Sequence, residues 1–180
     1  MLGERRRTML LGAAFLILLV LSSVENTVFF TTFHDVFQNQ FLAVGVLFVH
    51  NILVISLILL AMTFYVSLVI SNFFEKERHA YIVLEHPRTF ALVFTFMILF
   101  LSILRGSSLL GGVSIQFLPV ILLVSTPIGI VEGYGVYLTI KKTLSRAMSM
   151  KDLIYIYTIF FIAAILEVVF INLLISVSRG

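Results

Sequence analysis

The sequence has no cysteine and little charge. Of its 180 residues none is Cys, so disulfides, iron–sulfur clusters and thiolate zinc sites are excluded. Charged residues make up 12% and hydrophobic ones 61%. A soluble domain carries about 25% charged and about 45–50% apolar residues. A water-soluble fold of this size has too little interior to hide so much apolar surface. A disordered chain, a nucleic-acid-binding domain and almost any water-soluble enzyme are thereby excluded. Mean hydropathy is +1.15, net charge +3 and the pI about 9.4. The basic excess sits beside apolar runs, so it reads as orientation in a bilayer, with no nucleic-acid partner.

Other absences narrow the function. There is no H-E-x-x-H, G-x-S-x-G or P-loop sequence, and Ser107-Ser108 has no nearby histidine to activate it. His34-Asp35 and the pair His79 and His86 fall on opposite sides of the expected bilayer, so no metal site joins them. No catalytic residue, cofactor or metal ligand is assigned. No internal repeat marks an inverted-repeat transporter core.

A helix needs about 20 apolar residues to cross a hydrocarbon core of about 30 Å. Five stretches qualify as spans of a single all-α membrane domain, residues 1–180: about 9–24, 41–71, 90–104, 116–140 and 153–177. The second is long enough to tilt or to project from the bilayer. With the N-terminus inside, Arg5, Arg6, Arg7, Lys76, Arg78, Arg88, Lys141, Lys142, Arg146 and Lys151 all fall on the inner side. Arg105 and Arg179 fall outside, and the segment 25–40 has no Lys or Arg. This asymmetry specifies an N-in, C-out, multi-pass protein of the cell membrane. The first run has 16 residues, from Met9 to Val24, and no A-x-A-like site follows it. It reads as an uncleaved anchor and not as a signal peptide.

The connections also carry patterns. Phe29, Phe33, Phe37 and Phe41 recur every four residues, which predicts an amphipathic helix lying in the outer interface or strapped over the bundle. Ile82, Val83 and Leu84 among mixed charges predict a short interfacial helix stopped at Pro87. The link 105–115 is rich in Gly and Ser and reads as a flexible loop, with a re-entrant turn shielded by protein as the alternative. The loop 141–152 is basic and suits anionic headgroups.

Polar groups within the spans are the most informative residues. They are costly in hydrocarbon and normally face a bundle interior or a cavity. His50, Asn51, Glu132, Glu167 and Asn172 form the candidate intramembrane cluster. Ser125, Gly129, Glu132, Val136 and Thr139 follow the spacing of one helical face. Gly129 and Gly133 make a G-x-x-x-G pair suited to close helix approach. Pro127 removes a backbone hydrogen bond and predicts a kink. Ala163 and Ala164 give the fifth span a thin face beside Glu167, so spans four and five are expected to pack closely. The carboxyls serve either as a proton or ion site or as interhelical hydrogen-bonding groups, for example Glu132 with Asn51 or His50.

Two of these stretches resemble the stage II sporulation protein M family of small multi-span membrane proteins. That family has paired asparagines in an early span and a later Pro-His-Gly-x-x-Glu. Asn51 matches the second asparagine, with His50 in place of the first. Pro127, Gly129 and Glu132 match the later motif, with Ile128 where histidine is usual. His50 could stand in for that missing histidine. The resemblance implies a non-enzymatic membrane component, associated in spore formers with cell-wall hydrolases during engulfment. The expected role is a scaffold or complex subunit, with the lipid bilayer and other membrane proteins or further copies of the chain as partners. The alternative is a transporter or ion-coupled permease subunit that uses Glu132 and Glu167.

Overall fold

The computed structural model describes residues 4–36, 39–71, 81–109 and 118–179; side chains are described for Arg6 and for 8–25, 27–28, 39–71, 81–100 and 126–172. The described chain is all-helical: α1 (Glu4–Val36), α2 (Gln40–Ile70), α3 (Ile82–Glu85), α4 (Pro87–Leu109), α5 (Leu118–Leu144) and α6 (Met150–Arg179). Among the described residues, three helical stretches are long and apolar enough to cross a membrane: Thr8–Glu25 in α1, Gln40–Ile70 and Met150–Asn172. A shorter apolar stretch covers Pro87–Phe100 in α4.

The boundaries follow local chemistry. The side chain of Asn39 accepts hydrogen bonds from the backbone N–H of Phe41 (3.1 Å) and Leu42 (3.3 Å), which caps α2. Pro87 opens α4, where its missing N–H is not needed and its fixed φ suits a first turn. The short helix expected before Pro87 is α3, and Tyr81 ties its start to α2 by donating to the carbonyl of Val69 (3.1 Å). At the head of α6, Ser149 and Asp152 form a reciprocal cap. The Ser149 backbone N–H and hydroxyl donate to Asp152 Oδ2 (3.0 and 2.7 Å), and the Asp152 N–H donates to Ser149 Oγ (3.2 Å).

Two expectations need correction. The outer segment from Glu25 is no separate interfacial helix. It continues α1 without a break as far as Val36, because no Gly or Pro lies between Ala13 and Gln40 to interrupt it. Phe37 lies outside the described residues. The link after the third span is also shorter than expected. Residues 105–109 complete α4, so Ser107 and Ser108 sit in its last turn. The charged run 75–79 and the residues 110–117 lie outside the described residues.

α2, α5 and α6 touch one another and form the core of the bundle. α1 packs on α2, and α4 packs on α5. Two apolar clusters fill the core. The larger joins Ile55, Val66, Ala91, Val136, Ile140, Leu144, Ile156 and Phe160. The smaller joins Ala43, Leu47, Ala164 and Val168. Many large apolar side chains face outward, among them Leu16, Ile17 and Val20 on α1 and Phe96 and Phe100 on α4. Such a surface belongs in lipid or against another membrane helix.

Candidate functional site: a polar layer between apolar clusters

Asn51 and Glu132 meet at the level between the two clusters, and Glu167 lies at the level of the smaller one. Asn51 of α2 is buried at 8% exposure, one turn before Ile55 of one cluster and one turn after Leu47 of the other. Its Nδ2 donates to Glu132 Oε1 of α5 at 3.5 Å, the long end of hydrogen-bond geometry. Glu167 of α6 sits beside Ala164 and Val168 and within electrostatic reach of Glu132. Both carboxyls are half-buried. An asparagine amide can donate to a carboxylate or accept from a carboxylic acid, so the Asn51–Glu132 contact survives either protonation state.

Axial distances fix the height of this layer. Glu132 is nine residues from Lys141, about 14 Å along α5. Asn51 is 11 residues from Gln40 at the head of α2, about 17 Å along that helix. The sum is close to the thickness of a hydrocarbon core of about 30 Å.

His50 turns to the other side of α2. Its Nδ1 lies 2.9 Å from Glu25 Oε2 and 3.2 Å from Oε1, linking α2 to α1. The two side chains are 21% and 20% exposed. His50 thus links α2 to α1 through Glu25. Asn172 bonds within its own helix, its Nδ2 donating to the carbonyl of Val168 (2.9 Å). That bond leaves it apart from the Asn51–Glu132 contact. Among the described residues no group of three or more His, Asp or Glu is arranged to hold a metal ion.

Glu25 escaped the sequence reading, which placed it at the start of an outer connection. A simple register would have found it. Glu25 is 11 residues before the end of α1, and His50 is 10 after the start of α2. Two antiparallel helices joined by a short turn bring such positions together.

The close approaches on α5 fall at Gly133 and Gly135. A Cβ on Gly133 would lie 2.9 Å from Leu99 Cδ1 of α4, and one on Gly135 would lie 2.5 Å from Phe160 Cε2 of α6. A Cβ on Gly129 meets nothing within 4 Å among the described residues. Of the expected G-x-x-x-G pair, Gly133 makes a close approach, to α4, and Gly135 makes another, to α6. Of the expected helical face, Val136 and Thr139 are buried, Gly129 and Glu132 are half-buried, and the side chain of Ser125 lies outside those described. Pro127 sits inside α5, where the carbonyl of Leu123 loses its usual helical donor. Ala163 and Ala164 are fully buried, so α6 does present a thin face here. Compared with protein-family models, curated proteins and solved structures, the chain matches none.

Proposed function

We propose that this is a five-span, N-in, C-out protein of the cell membrane that acts as a non-enzymatic scaffold or subunit of a membrane complex. The observation that carries the reading is the Asn51–Glu132 contact, set between two apolar clusters, with Glu167 at the level of the smaller one. Its height matches the middle of a bilayer. Loss of an interhelical partner there costs about 0.6 kcal/mol and up to about 1.7, which favours the register of α2 against α5 that makes the contact. Polar side chains that fix helix register, without a nucleophile–base pair, suit a structural component. The two stretches that resemble the stage II sporulation protein M family, at Asn51 and at Pro127 to Glu132, are the ones that meet in this contact. That supports a role of the kind the resemblance implies.

Glu132→Gln is the test, because glutamine keeps the hydrogen bond and removes the ionisable group. Native mass spectrometry in mild detergent should give the wild-type assembly mass for this variant. A variant that folds but loses its assembly overturns the scaffold reading. The second reading, a proton- or ion-coupled permease subunit, draws on the nearness of the Glu132 and Glu167 carboxyls. Proton flux in liposomes that Glu132→Gln abolishes would establish it instead.

A further inference from the structure

Five of the six tyrosines lie toward one end of the bundle. Tyr65 is on the last turns of α2, Tyr81 precedes α3, Tyr137 is four residues before Lys141 on α5, and Tyr155 and Tyr157 open α6, while Tyr134 lies deeper, beside Glu132 in sequence. Tyrosine concentrates where hydrocarbon gives way to headgroups, so this end sits at a membrane surface. The turn joining α5 and α6 lies there, and it is basic.

That turn holds the chain's strained residue among those described. Arg146 has φ 54°, a left-handed conformation outside glycine. Its N–H donates to the carbonyl of Thr143 (3.0 Å) and the N–H of Ala147 to that of Lys142 (2.9 Å). This is a Schellman ending whose left-handed position is usually glycine. An arginine there keeps its charge at the cost of backbone strain, and such strain concentrates at functional positions. Arg146 and Lys151 are exposed, and Lys141 Nζ lies 5.5 Å from the centre of the Tyr137 ring. Lys142 is engaged by Asp152 at 3.1 Å. The head of α6 is no competing anion site, since Asp152 already accepts from Ser149 there.

We infer that the α5–α6 turn binds the headgroup phosphate of an anionic phospholipid, with Arg146 as the principal ligand and Lys141 and Lys151 beside it. A guanidinium offers a phosphate two parallel N–H donors, which a glycine in the same turn cannot supply. The inference rests on the five-span layout, which is checked separately. The chain has no native cysteine, so Ala147→Cys gives a unique label site. Failure of that residue to react from the cytosolic side overturns the layout itself.

Phosphatidylglycerol and phosphatidylcholine are titrated in turn into the full chain in mild detergent, and the thermal unfolding midpoint is followed. The wild type should gain stability from phosphatidylglycerol and not from phosphatidylcholine. Arg146→Gly should fold at least as stably without lipid, because glycine relieves the strain. It should need about fivefold more phosphatidylglycerol for the same rise, the factor one basic side chain carries at an anionic surface. An unchanged phosphatidylglycerol requirement, a glycine variant less stable without lipid, or equal stabilisation by phosphatidylcholine overturns the inference. So does a matching rise with inorganic phosphate alone, which would make the ligand a soluble anion.

Discussion

Alanine at Gly135 tests the packing of α5 on α6 with one methyl group. The added carbon would lie 2.5 Å from Phe160 Cε2 and 2.9 Å from Cζ, against 3.4 Å for ordinary contact. The ring or the helix must therefore retreat by close to 1 Å. Phe160 is 3% exposed and belongs to the larger core cluster, so its ring has no free space to enter. Overpacking of this kind costs about 1–3 kcal/mol. Glycine to alanine within a helix returns up to about 1 kcal/mol. The expected net loss is about 1–2 kcal/mol. Gly129→Ala is the control, because its new methyl meets nothing within 4 Å among the described residues, which leaves the helical gain. Both variants are compared by far-UV circular dichroism during sodium dodecyl sulfate titration of mixed micelles. Phe160→Leu in the Gly135→Ala background should recover part of the loss by making room. Equal stability of the Gly135 and Gly129 variants would refute the close approach.

Other expectations follow from individual contacts. Asn51→Leu should destabilise by about 0.6 kcal/mol, and by no more than about 1.7, the range for interhelical hydrogen bonds in membranes; the same detergent titration measures it. Glu25→Ala and His50→Ala should each cost at most about 1–2 kcal/mol, and the double variant less than their sum, because both remove one contact. Fully additive losses would show that the pair is not coupled. Ser149→Ala should cost about 1 kcal/mol by removing the side-chain cap of α6, and the loss should appear in thermal unfolding. Gly133→Ala should cost less than Gly135→Ala, since the end of Leu99 can rotate away where a buried ring cannot.

Hydropathy made the helices legible, and particular residues made several of their ends legible. Asn39 caps α2 and Pro87 opens α4, each for a reason visible in the side chain. The extension of α1 was not legible in the same way. Glu25, Asn26, His34 and Asp35 resemble a connection in composition, yet nothing among them breaks a helix. The cost of polar groups in hydrocarbon was enough to single out Asn51, Glu132 and Glu167, whose helices prove to be the three mutually packed ones. It could not say which way each side chain turns. His50 shares that cost with its neighbour, but adjacent helical residues point about 100° apart, and it finds Glu25 on α1. Asn172 satisfies its amide on the carbonyl one turn behind, a local solution that any asparagine in a helix has at hand. Gly129 and Gly133 share a spacing without sharing a neighbour, because helix contact depends on phase and height as well as on periodicity.

The Asn51–Glu132 contact is most directly measured by dipolar recoupling in solid-state NMR. The full chain in bilayers carries ¹⁵N in its asparagine side chains and ¹³C in its glutamate carboxyls. A nitrogen-to-oxygen distance of 3.5 Å places the labelled atoms near enough for strong dephasing, which Glu132→Gln should remove. Dephasing that is absent in the wild type, or that persists in the glutamine variant, contradicts the polar layer on which the proposed architecture depends.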